Sequence, residues 1–184
     1  RLVGSEMCIR DRCGMFAALV AIGAFIQIPV PYMDYFTLQF FFVLLAGLIL
    51  GADKGAISVG CYVLLGLVGV PIFAAGGGIG YIFRPSFGYL VGFIVSAYVT
   101  GKVCEKLKAS YKNYLLACLA GFVVTYAIGI VYKFIILNFY AHTPATLGVI
   151  FLSCFPLDMP GDFVLCLLAA GVGLRMRKSG FYLS

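Results

Sequence analysis

Asp158 and Asp162 stand four residues apart in a 184-residue chain that holds seven acidic side chains, thirteen basic ones and a single histidine. A four-residue step allows two carboxylates to share one helical face, where they can exchange protons or accept hydrogen bonds from N–H donors. Pro160 lies between them, and the chain offers no His or Ser partner nearby, which weighs against an acid/base pair. Proline suits the first helical position, and the free N–H groups of a helix start bind anions. Asp162 in that turn can equally serve as the charge that complements the positive helix end. The other candidates are Thr37 and Gln39, Tyr81 and Arg84, Tyr89, and Lys133. Each has a plainer use: Gln39 can satisfy a neighbouring helix, Arg84 and Lys133 can reach toward headgroups, and the two tyrosines can sit in an aromatic belt. His142 is assigned no specific task. The seven cysteines show no C-x-x-C spacing, so no metal site or cofactor is implied. The run Gly76-Gly77-Gly78-Ile79-Gly80 matches neither nucleotide-cradle motif. Gly77 and Gly78 instead suit close approach of backbone to a neighbour or ligand.

Composition decides what must position these residues. The chain is 63% hydrophobic and 11% charged, with a mean hydropathy of +1.08, against about 25% charged in an ordinary soluble domain. So few charges cannot cover a soluble globule of this size, so the chain is expected to be integral to a lipid bilayer. Soluble-enzyme and nucleic-acid functions fall away, and the net charge of +6 follows membrane topology instead.

Residues 1–13, RLVGSEMCIRDRC, show neither helical nor strand periodicity and resemble a translated sequencing adapter. They are set apart as a non-native or disordered leader, with the native start expected at Met15 or upstream. A single membrane domain is expected over 14–178, followed by a cytoplasmic tail at 179–184. Breakers divide the domain into apolar runs near 14–28, 37–51, 56–73, 87–101, 114–137 and 160–176. Residues 145–155 are too short to span and are read as a re-entrant or interfacial helix before the last span. The architecture is thus an all-α integral membrane protein of six transmembrane helices with a Gly-rich outer loop. Lys54, the lysines at 102, 106, 108 and 112, and Arg175, Arg177 and Lys178 then share one face, which makes both termini cytoplasmic.

In that topology the polar candidates gather at the outer ends of the spans, which points to a solute site closed from below. Thr37 and Gln39 begin the second span, Tyr89 lies in the first turn of the fourth, and Lys133 lies one turn from the end of the fifth. A channel or proton relay would need polar residues along its full length. No phosphate-binding loop is present, so ATP-driven transport requires separate ATPase subunits. The first span carries the small-residue pairs Gly14/Ala18 and Ala17/Ala21, which suit close helix packing, internal or external.

Taken in order, FAALVAIGAFIQIPVP (16–31), FTLQ (36–39), LLAGLILGADKGAISVGCYVLLGLVGVPIFAAGGG (44–78), RPSFGYLVGF (84–93) and MPGDFVLCLLAA (159–170) resemble the biotin-specific S components, the BioY family, of energy-coupling factor transporters. The resemblance implies six membrane helices that capture biotin from outside and work with a transmembrane coupling protein and two ABC-type ATPases in a bacterial-type plasma membrane. It implies coupling-protein docking at Ala17 and Ala21, and ligand contacts at Gly76 to Gly80, with Gly77 and Gly78 among them, and at Tyr89 and Asp162. Two departures stand out. Leu165 occupies a position where many members carry lysine, and Arg84-Pro85-Ser86-Phe87-Gly88-Tyr89 replaces a Gly-Pro-Thr-Gly-Gly-Tyr stretch. An ascending helix from Leu115 rises roughly 27 Å by Lys133, so this lysine is expected to supply the missing cation, to the ligand's carboxylate or to Asp162. The alternatives are an S component for another vitamin and, in another class, a membrane-embedded enzyme using Asp158 and Asp162.

Overall fold

The computed structural model describes residues 2–28, 36–141, 145–154 and 158–179. His142, Pro29 and Pro31 lie outside the described residues, as does the tail beyond Ser179.

Helix α2 (Gln39–Leu50) reads QFFFVLLAGLIL, apolar around its whole circumference, and such a helix has to be enclosed. Ten of its twelve residues are buried. It is ringed by α1 (Leu2–Phe25), α3 (Ala52–Val68), α4 (Phe87–Lys106) and α7 (Asp158–Lys178). Helix α5 (Tyr111–Ile135) packs on α4 and α7, and the short α6 (Leu147–Cys154) packs on α5. Among the described residues, three helices are long and apolar enough to cross a membrane: α4, α5 with its continuation to Tyr140, and α7, with α2 a shorter apolar helix.

Glycines decide how closely these helices meet. Along α4 and α5 each helix offers a glycine where the other offers bulk: Gly88 lies against Tyr132, Gly129 against Tyr89, Gly92 against the Thr125 backbone, and Gly121 against Ser96 and Thr100. At the junction of α2 and α3 the chain turns through Gly51, whose φ of 84° is natural only to glycine. Gly101 of α4 packs on that corner so tightly that a Cβ would collide with Ala52. The Ala52 N–H, freed at the helix start, donates to Glu105 Oε1 at 2.9 Å.

Several sequence boundaries move. Helix α1 starts at Leu2 instead of near 14, and Ser58 Oγ donates to the Cys13 carbonyl at 2.6 Å. Residues 2–13 lack apolar periodicity, yet they contain no proline, and a helix propagates cheaply from an established segment. Thr37 does not open the second helix: Phe36–Thr37 pairs antiparallel with Gln27–Ile28 in a two-residue ladder. A β-branched and an aromatic residue suit that extended pairing. The third helix ends at Val68, capped by left-handed Gly69 at φ 117°. Helix α5 runs on through a π-helical turn, Ile136–Tyr140. Lys133 is therefore about two turns from the end, not one. The end is fixed by Asn138, whose Nδ2 donates to the Phe134 and Ala145 carbonyls at 3.0 Å.

Candidate functional site

Three helices begin at the same end of the bundle. Gln39 is the first residue of α2, Ser86 precedes α4, and Asp158 opens α7; all three line one cavity. The positive ends of three helix dipoles therefore lie at this cavity, and they favour a ligand with negative charge. Helix α5 passes alongside and contributes Tyr126. Apolar walls come from Phe40 of α2 and from Leu90 and Phe93 of α4.

The cover over the cavity is built from the segment between α3 and α4. Gly76 and Gly78 hold φ values of 111° and 102°, and the Gly78 N–H donates to the Gly66 carbonyl at 2.7 Å. A Cβ on Gly77 would collide with the Val70 carbonyl. This folded segment presents Ala74 to the cavity, and the Ala74 carbonyl accepts from Gln27 Nε2 at 2.8 Å, which ties it to the short ladder carrying Thr37. A 3-10 turn, Ile79–Phe83, then points Tyr81 inward. Tyr132 of α5 anchors that turn by donating to the Ile82 carbonyl, and Phe83 stacks on Tyr140 with centroids 4.8 Å apart.

The polar groups facing the chamber differ in how they are held. Gln39 is 3% exposed, and its Nε2 makes no well-formed hydrogen bond among the described residues, with the Tyr62 hydroxyl as a weak partner. A buried amide left without a well-formed hydrogen bond costs about 1–3 kcal/mol, so it marks a place where a strong acceptor is missing. Asp162 Oδ2 accepts from the Tyr126 hydroxyl at 2.8 Å. The Tyr126 ring packs edge-on against Tyr89, 5.9 Å away, and against Phe122 at 4.7 Å.

Of the sequence-predicted residues, Thr37, Gln39, Tyr81, Tyr89, Asp158 and Asp162 line this one cavity. Both carboxylates reach it because Pro160 falls within the first turn of α7, where a missing N–H breaks nothing. Gly77, Gly78, Arg84 and Lys133 are not among its lining residues. The two glycines shape the cover, and the Arg84 guanidinium lies over the Tyr81 ring at 5.4 Å. The partner seen on Asp162 is the Tyr126 hydroxyl, which occupies Oδ2. Ala17 is 9% exposed and belongs to the core, whereas Ala21 is half-buried. Gly14 and Ala18 of α1 are open to the surroundings. Tyr126, Phe40 and Phe93 escaped sequence reading because aromatic residues inside an apolar run carry no mark of their own. The one signal was the phenol of Tyr126 at mid-span, which needs a partner when buried.

A family model described as the BioY family matches residues 9–180. The chain belongs to the BioY family. Among its relatives is a probable biotin transporter BioY of Lysinibacillus sphaericus, 39% identical over 165 residues that cover 89% of this chain and 84% of that one. The biotin transporter BioY of Thermotoga maritima is 39% identical over 171 residues, covering 91% and 94%. Among solved structures, the S-component for biotin from an ECF-type ABC transporter superposes with a TM-score of 0.83 at 25% identity, over 95% of this BioY-family chain and 93% of the other.

Proposed function

We propose that this chain is the biotin-binding S component of an ECF-type vitamin uptake transporter. It is a substrate-binding subunit and not an enzyme, and it works in the cell membrane with a transmembrane coupling protein and two ABC-type ATPases. Biotin presents a cyclic urea, an apolar thioether ring and a carboxylate tail. The observation that carries the reading is the meeting, in one aromatic-walled cavity, of a carboxylate and an amide donor that makes no well-formed hydrogen bond among the described residues. Gln39 Nε2 suits the urea carbonyl, and Asp162 suits a urea N–H. Thr37, Tyr81, Tyr89 and Asp158 complete the walls, with Gly77, Gly78 and Arg84 acting through the cover. The tail is directed to the convergent helix starts and to Lys133, which lies seven residues and roughly 10 Å beyond Tyr126 on the same face of α5.

Supporting this reading further are the family membership and the names of the relatives above. Six spans with both termini cytoplasmic follow from the basic residues at 54, 102–112 and 175–178, and α6 is a re-entrant or interfacial helix. The exposed pair Gly14/Ala18, with Ala21, is the docking face toward the coupling protein.

Calorimetry of the purified chain against a panel of vitamins tests the assignment. Saturable 1:1 binding of biotin is expected, and tight binding of a different vitamin with none of biotin would replace it. For topology, Cys104 is 2% exposed and a poor reporter, whereas Ala109 is exposed. Ala109→Cys is expected to resist a membrane-impermeant thiol reagent in intact cells and to react after lysis.

A further inference from the structure

The Tyr126 hydroxyl is the one group seen donating to the carboxylate of Asp162 among the described residues, and both side chains line the cavity. Tyr126 is 5% exposed. Its ring is clamped by Tyr89 of α4 and by Phe122 of its own helix. The hydroxyl is consequently fixed in position by packing. A carboxylate, by contrast, turns about a broad, two-fold torsion and has no orientation of its own. With Oδ2 engaged at 2.8 Å, that torsion is set, and Asp162 lines the chamber.

We propose that Tyr126 is a positioning residue for ligand recognition: by holding one oxygen of Asp162 it aims the other at the N–H groups of the bound cyclic urea. This rests on the biotin reading above. A carboxylate whose Oδ2 is taken up by the phenol keeps the lone pairs of its other oxygen for the ligand. The same bond would also exist as a simple tie between α5 and α7, and the two roles separate when the carboxylate is made an amide.

In Asp162→Asn the Tyr126 hydroxyl selects the amide oxygen, the one acceptor the new side chain has. The NH2 group is thereby turned toward the urea N–H, donor against donor. Biotin affinity is expected to fall about a hundredfold. Tyr126→Phe alone releases the carboxylate without changing its chemistry, for a loss of about tenfold. In the double variant the amide is free to turn and offer its oxygen to the urea. It is expected to bind biotin about tenfold more tightly than Asp162→Asn alone, so that a second loss of contact restores affinity. A tie between helices predicts further loss instead.

Calorimetry on the purified full chain reads all four proteins. A double variant no tighter than Asp162→Asn overturns the positioning role while leaving biotin binding by the unaltered chain intact; absence of biotin binding by the unaltered chain overturns the functional reading itself. Should Tyr126→Phe fail to fold, Asp162→Asn is compared on biotin and on a biotin methylated at both urea nitrogens. The expected result is a large loss for biotin and little change for the methylated ligand. Equal losses would refute the proposal.

Discussion

The two ends of the bundle use similar residues to opposite effect. At the end away from the cavity, Gly47, Gly55 and Gly101 bring the backbones of α2, α3 and α4 into contact, and the charged groups of Glu105 and Arg177 are taken up by the protein itself. Glu105 caps α3, and the Arg177 guanidinium donates to the Tyr114 hydroxyl at 3.0 Å. At the cavity end, the helices are held apart by Phe40, Tyr89, Phe93 and Tyr126, and the Gln39 amide makes no well-formed hydrogen bond among the described residues. What differs is spacing: glycine closes one end, aromatic rings prop the other, and the closed end supplies the packing that lets an open, polar chamber persist.

The strongest way to break the comparison is at the closed end. Gly101→Val places a side chain into the Ala52 backbone and is expected to destabilise the fold by about 3 kcal/mol or more, with binding lost alongside. Thermal unfolding in detergent measures it, and an unchanged midpoint would mean that the α2–α3 corner yields. Next is a change that spares both ends. Ala18→Trp on the open face of α1 is expected to abolish uptake yet preserve biotin binding, whereas Ala17→Trp, directed into the core, harms both. Uptake and calorimetry on the same variants distinguish them.

The comparison is sharpened at the open end. Lys133→Met is expected to weaken biotin by about 1.5–3 kcal/mol and a biotin amide far less. Equal losses for acid and amide would remove Lys133 from the tail. The smallest effect has two signs. Gln39→Leu is expected to cost about 1 kcal/mol or more in binding while leaving the empty protein as stable as before or slightly more so, because the poorly bonded amide is gone. A parallel loss of stability would show that the amide serves the fold.

How far this was legible from sequence depends on what kind of signal each element carries. The apolar runs of α4, α5 and α7 announced themselves because a helix that faces lipid must be apolar over its length. Gln39, Asp158 and Asp162 stood out because polar groups in such runs are costly. The ladder at Phe36–Thr37 was hidden because its strands hold two residues each, too few for any alternation. The burial of Ala17 was hidden for a similar reason: two pairs of small residues on α1 are offset by three positions, and only the packing of α2 and α3 says which residue is inside. Tyr126 and Asp162 meet across 36 positions of sequence, and no local pattern encodes that pairing.

Helix α2 carries a consequence for biogenesis. Its twelve residues rise roughly 18 Å, well short of a hydrocarbon core of roughly 30 Å, and its sides are covered by four other helices. It emerges from the ribosome before α3, α4 and α7, so much of its final surroundings does not yet exist when it is made. Until those segments arrive, its short apolar length must rest in a locally thinned bilayer or against α1. The order of synthesis thus makes α2 the segment that waits, and an insertion chaperone or the translocon itself is where its dependence on later neighbours would be felt.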